Sequence, residues 1–172
     1  MSRLSRQLAE SQVEYKELWH APAFSAQRRA RFLGESGHRV VKALLMLTEQ
    51  EPVLVLVPAS CDVEPEALKR LLGVQQVRLA SNQEIVRSFP DCAYGTVPGF
   101  GRPYRMATVV DRRLLDEPYL VLPGTGWYTD YRVRTDLFQR MEQPISGDIA
   151  RPLPRFSPRT SRLPRTARVR GT

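Results

Sequence analysis

Two apolar runs, Arg39 to Leu47 and Pro52 to Val57, stand only four polar residues apart, at Thr48-Glu49-Gln50-Glu51. Runs of this length, rich in Val and Leu and joined by a polar turn, read as two buried strands of one hairpin. A chain with such a hairpin at its centre must cover it, and the flanking sequence supplies the means. Leu4 and Leu8 sit at helical spacing within Ser2 to Glu10. Val13 to Trp19 alternates as an edge strand does. Ser25 caps a helix that runs to Gly34. Pro65 to Leu72 is a helix with proline in its first turn and Gly73 beyond its end. Val77 to Leu79 is a short strand. Ser81-Asn82-Gln83-Glu84 is a capping box, with a helix to Ser88. Tyr94 to Arg102 is a glycine-rich loop. Tyr104 to Val110, Tyr119 to Leu122 and Tyr128 to Val133 are strands, and Thr135-Asp136-Leu137-Phe138 starts a last helix. Strands outnumber helices and several follow one another directly. The expected fold is therefore α/β, with a mixed, mostly antiparallel sheet and flanking helices.

The charge is unevenly spread. Residues 144–172 hold seven arginines and one acid, Asp148, so this stretch carries +6 and leaves +2 of the chain's +8 for the rest. It also holds Pro144, Pro152, Pro154, Pro158 and Pro164, with few large apolar residues between them. Such a segment buries too little surface to offset its ordering entropy. The expected organisation is a folded domain over 1–143 and a disordered Arg/Pro-rich basic tail over 144–172.

In a chain that is 42% apolar, disulfide staples are not needed for a core. Cys61 and Cys92 lack CxxC spacing, and His20 and His38 are the chain's two histidines, so no metal-ligand cluster is apparent. Two thiols fit a reducing compartment, or one disulfide. The longest apolar run, Val53 to Pro58, is too short to span a membrane, and Met1 to Glu10 has no signal-peptide core. Cytoplasmic localisation is the expectation.

Lys42 is the residue most out of keeping with its surroundings. It lies among Val40, Val41, Ala43, Leu44 and Leu45, where burial of an ammonium is costly without a partner or a task. Alternation places it on the face of Val40 and Leu44. Either its stem packs while the charge reaches solvent, or it serves a site.

Four segments, taken in order, resemble the YbaK/prolyl-tRNA synthetase-associated editing domain family. They are His20-Ala21-Pro22-Ala23; Val40 to Met46 with Lys42 inside it; Leu54 to Pro58 followed by Asp62, a helix and Val77-Arg78-Leu79-Ala80-Ser81; and Gly95-Thr96-Val97-Pro98-Gly99-Phe100-Gly101, followed by a strand, Asp111 and Pro123-Gly124-Thr125-Gly126. The resemblance covers nearly the whole body. It implies a trans-editing aminoacyl-tRNA deacylase, which hydrolyses the ester of a tRNA carrying a wrong, small amino acid. It implies mischarged tRNA as partner, an aminoacyl-tRNA synthetase as a further one, no membrane and no cofactor.

The resemblance also assigns roles. Lys42 would hold the 3′-terminal adenosine through phosphate or ribose by its point charge. Gly99, Phe100 and Gly101, in the loop from Gly95, would offer backbone N–H groups to the charge growing on the ester oxygen. Gly95 and Pro98 would shape that loop, Gly124, Thr125 and Gly126 would close the amino-acid pocket, and His20 would stand near its entrance. Each has a plainer reading: a surface turn for the loop, a hairpin turn for Gly124 to Gly126, a structural histidine for His20. Asp62 and Asp111 read as turn residues. Family loops often read Gly-x-x-x-Pro, with proline where this chain has Gly99; here Pro98 comes one place earlier. No Ser/His/Asp or Cys/His set can be assembled, which argues against covalent catalysis. The rival reading is a catalytically inactive module of the same fold that binds RNA or regulates.

Overall fold

The central hairpin forms as the two apolar runs require. In this computed structural model, which describes residues 1–154, β2 (Val41–Thr48) and β3 (Pro52–Pro58) pair antiparallel from Val41 opposite Pro58 to Leu47 opposite Pro52. The turn is closed by Thr48, whose hydroxyl oxygen accepts the N–H groups of Gln50 and Glu51 at 3.0 and 3.1 Å. Alternation along β3 sends Leu54 and Leu56 into one core and Val53, Val55 and Val57 into another on the opposite face. A strand covered on both faces has no polar side, which is why its sequence is almost continuous Val and Leu.

β5 (Val77–Leu79) pairs antiparallel with the end of β2, while β6 (Ala107–Asp111) and then β9 (Ile145–Gly147) add in parallel beyond β3. The five-stranded sheet thus runs β5-β2-β3-β6-β9. A second sheet is wholly antiparallel, in the order β1 (Tyr15–Trp19), β8 (Thr129–Arg134), β7 (Tyr119–Pro123). The two sheets touch through a parallel bridge between Val40 and Val121. A small ribbon pairs β4 (Cys61–Val63) with β10 (Ala150–Pro152). The mixed, mostly antiparallel α/β fold is as expected.

The helices begin and end where their caps dictate. α1 (Arg3–Glu10) is capped by Ser2 and buries Leu4 and Leu8. α2 (Ala26–Leu33) starts at Ser25, whose side chain accepts the Arg28 N–H, and stops at Gly34 in the left-handed region, φ +63°. α3 (Pro65–Leu72) carries proline in its first turn, and α4 (Asn82–Ser88) has the full Ser81–Glu84 capping box. A short α5 (Arg112–Leu115) and α6 (Thr135–Glu142) complete the set.

Three expectations need correction. The strand expected from Tyr104 starts at Ala107, because Arg102–Tyr104 forms a 3-10 turn that holds Pro103 and ends on Arg105 at φ +55°. Asp62, read as a turn residue, lies in a strand, Cys61–Val63. Most consequentially, the domain does not end at 143. Residues 145–147 and 150–152 pair with β6 and β4, and Ile149 between them is fully buried. Asp111, itself fully buried, organises this extension: its Oδ2 accepts the N–H groups of Ile149 and Ala150, each at 2.9 Å, and its Oδ1 that of Arg113 at 3.0 Å. A segment poor in apolar residues orders here because existing strands satisfy its backbone. The rest of the expected disordered tail, residues 155–172, lies outside the described residues.

Candidate functional site

The edge of β2 is left open between two capped carbonyls. Val41 turns its carbonyl away from β3, to the guanidinium of Arg29. Leu45 turns its carbonyl the same way, to the N–H of Ala80 at 2.9 Å. Residues two apart on a strand present their backbone groups to the same edge, so Ala43 directs its N–H and C=O there too. β5 covers β2 only from Met46 onward. On the other side, β7 diverges after its bridge at Val121: the Pro123 carbonyl accepts the Gly99 N–H at 2.8 Å instead of reaching β2. The gap so left is a cavity of about 320 Å³, lined by Lys42, Ala43, Arg29, Gly95, Phe24 and Trp127 among others.

Arg29 reaches this cavity from α2. Helical spacing from Ala26 and Ala30 puts it on the buried face, and it is 8% exposed. Its guanidinium donates to Asp130, which is 1% exposed and also meets His20 Nε2 at 3.3 Å; His20 Nδ1 lies 2.7 Å from the Ala21 carbonyl oxygen. The chain entry to α2, the open edge of β2 and strand β8 are thereby tied through the Arg29–Asp130 pair.

Lys42 lines the cavity with its side chain 17% exposed, and its ammonium donates to the Cys61 carbonyl at 2.7 Å and to Asp62 Oδ1 at 2.8 Å. An ammonium has three N–H donors, and these partners occupy two. Asp62, on strand β4, is thus the ionic partner of Lys42 and not a turn residue.

Of the other expected site residues, Gly95 and Gly126 line the cavity with Lys42. Gly95 has φ +77°, and a Cβ there would meet the Trp127 ring at 3.6 Å. His20 is outside the lining, on Asp130. Pro98, Gly99, Phe100 and Gly101 are buried and outside the lining. Gly99 donates to Pro123, and a Cβ at Gly101 would lie 2.4 Å from Thr108 Oγ1 and 2.5 Å from the Met106 carbonyl oxygen. Phe100 belongs to the core beside Phe138 and Tyr131. Gly124 closes the β7–β8 hairpin by donating to the Thr129 carbonyl at 3.0 Å, and the Thr125 carbonyl accepts the Ala93 N–H at 2.7 Å. Sequence reasoning missed Arg29, Ala43, Phe24 and Trp127. Arg29 carried a readable signal, a cation on the alanine face of a capped helix.

The loop is clamped from behind by Glu142 at the end of α6. Its Oε2 accepts the Gly101 N–H at 2.9 Å, the Thr108 hydroxyl at 2.8 Å and the Arg102 N–H at 3.3 Å, while Oε1 is buried with no partner among the described residues. Burial pushes its carboxyl above the usual carboxylate range, against the pull of these donors. The folded state therefore binds this proton more tightly than the unfolded chain. Its contribution to stability is complete below the ordinary carboxylate pKa and is lost as pH rises through the raised one. Glu142→Gln, neutral at every pH, should flatten that fall, read as the urea midpoint against pH; an unchanged profile would assign the titration to another group.

Cys61 and Cys92 are free thiols outside the cavity lining. Burial raises the Cys92 thiol to about 11, which keeps it protonated near neutral pH and a poor nucleophile. Among the described residues no group of three His, Cys, Asp or Glu side chains is placed to hold a metal ion, and no helix is long and apolar enough to cross a membrane.

Comparison with known proteins adds to this geometry. Residues 20–132 match the family model described as aminoacyl-tRNA editing domain. A proline–tRNA ligase of Aquifex aeolicus (strain VF5) is 28% identical over 105 residues, which are 60% of this chain and 18% of the ligase. The chain thus spans under a fifth of that relative. Among solved structures, a hypothetical protein superposes with a TM-score of 0.78 at 22% identity, covering 87% of this chain and 99% of the other. A candidate trans-editing enzyme for prolyl tRNA synthetase does so with a TM-score of 0.75 at 22% identity, covering 87% and 95%. These likenesses establish the fold.

Proposed function

The chain belongs to the aminoacyl-tRNA editing domain family, and from that premise we propose that it is a deacylase acting in trans on tRNA charged with a wrong, small amino acid. The observation that carries this reading is the uncovered edge at Ala43, set in a cavity with Lys42 and walled by the small side chains of Ala23, Ala26 and Ala43. An aminoacyl ester is already activated, so positioning and charge stabilisation suffice for hydrolysis. The Ala43 N–H meets the ester oxygen, and the Ala43 carbonyl meets the substrate's ammonium. The third N–H of Lys42 meets the terminal phosphate or ribose. Water, oriented by the ribose's own free hydroxyl, adds to the carbonyl; the other ribose oxygen departs with a proton, giving amino acid and tRNA.

One observation favours the inactive module instead. The N–H groups of Gly99 and Gly101 are spent on Pro123 and Glu142, so these glycines supply no donors to an ester. Deacylation rates on a panel of mischarged tRNAs separate the readings. Hydrolysis fastest for small amino acids supports the deacylase; tRNA binding with no hydrolysis of any ester supports the module.

The same reading makes the enzyme cytoplasmic, with tRNA as partner and a synthetase as the source of the mischarged substrate. Residues 155–172 carry six arginines and no acid, a composition suited to phosphates. Truncation after Pro154, which spares β10, is expected to weaken tRNA binding and to leave kcat unchanged. The slope of log affinity against log salt should flatten by about 0.7 for each single-strand phosphate that the shortened chain no longer neutralises. Equal slopes for both forms would remove the segment from tRNA binding.

A further inference from the structure

Phe24 is a large apolar ring left 74% exposed at the cavity mouth. It occupies the position before the Ser25 cap of α2, where a hydrophobic residue ordinarily packs on the fourth residue of the helix. That residue is Arg29, whose guanidinium is committed to Asp130 and Val41, so the helix entry does not account for the ring. What Phe24 meets is Trp127, at 5.1 Å between ring centroids and tilted by 56°. Trp127 is half-buried against Gly95, also lines the cavity, and is tethered through its carbonyl, which accepts the Ala23 N–H at 3.2 Å. Two aromatic rings are thus fixed across the mouth from two different loops, beside Lys42.

Resting on the deacylase reading, we propose that Phe24 and Trp127 form the stacking platform for the adenine of the 3′-terminal adenosine. Planar bases stack on aromatic faces, and an exposed ring is available for this at little ordering cost. The aminoacyl group then enters the cavity below the rings, and Lys42 meets the ribose or phosphate between. The pair selects for a base at the end of the chain, while the cavity selects the amino acid.

A Trp19→Phe variant, altered on the exposed edge strand β1, leaves Trp127 as the sole tryptophan and reports on the platform by fluorescence. Intact tRNA should quench it, tRNA lacking only the terminal adenosine should not, and adenosine monophosphate should compete. Phe24→Ala and Trp127→Ala should each raise KM by about tenfold, with kcat changed by less than about twofold. Trp127→Phe should restore most of the loss. Equal quenching by the two tRNAs, quenching by the free nucleotide alone, or an unmoved KM in folded variants overturns the platform. The fluorescence arm needs no turnover, so a failure of hydrolysis and a failure of stacking are read separately.

Discussion

Lys42→Ala is expected to lower kcat/KM for a mischarged tRNA by about a hundredfold, the usual loss when one charged donor to a reacting group is removed. The fold should survive it. The partner Asp62 is 48% exposed at its side chain, so losing the pair strands a carboxylate that water can solvate, at a cost of about 1 kcal/mol or less. Lys42→Met preserves the packed stem and should lose the same activity, which separates the charge from the bulk. Circular dichroism and single-turnover rates on both variants decide it; full activity in a folded protein takes Lys42 out of the site.

Asp130→Ala is expected to have the largest effect on stability, about 3–5 kcal/mol, because it leaves the Arg29 guanidinium buried without its carboxylate. Asp130 is 1% exposed and Arg29 8%, so water does not readily replace what is lost. The urea midpoint should fall with an unchanged slope. Asp130→Asn, which keeps an acceptor but no charge, should fall less. A loss below about 1 kcal/mol would mean that Arg29 swings out through the cavity it borders.

Much of this fold was legible because its signals are local. The β2–β3 hairpin is written in two apolar runs and a threonine turn, and α2 and α4 in their serine caps. Lys42 announced itself by its cost among valines and leucines. What escaped depended on distant partners. The strands at 145–147 and 150–152 exist because Asp111, more than thirty residues earlier, accepts the N–H groups of Ile149 and Ala150. An average over a proline- and arginine-rich stretch hid them. The glycine loop read as a ligand cradle, yet Gly99 and Gly101 are small because Leu122, Thr108 and Met106 crowd them from behind. Arg29 is legible by the same physics as Lys42, a cation on the alanine face of a capped helix. The Ala43 edge has no sequence signature, since any residue there would offer the same backbone pair.

The gap between β2 and β7 is framed by main chain. It is pinned at one end by the Val40–Val121 bridge and at the other by the bond from Ala80 to Leu45. Its span is therefore set by main-chain pairing and not by side chains. Exchanging the alanines that line it alters its depth and texture, as changing the upholstery leaves a doorway the same width. On the deacylase reading, an aminoacyl group too bulky for the gap would have to break one of those two pins, and the energy of that main-chain pairing would stand against it.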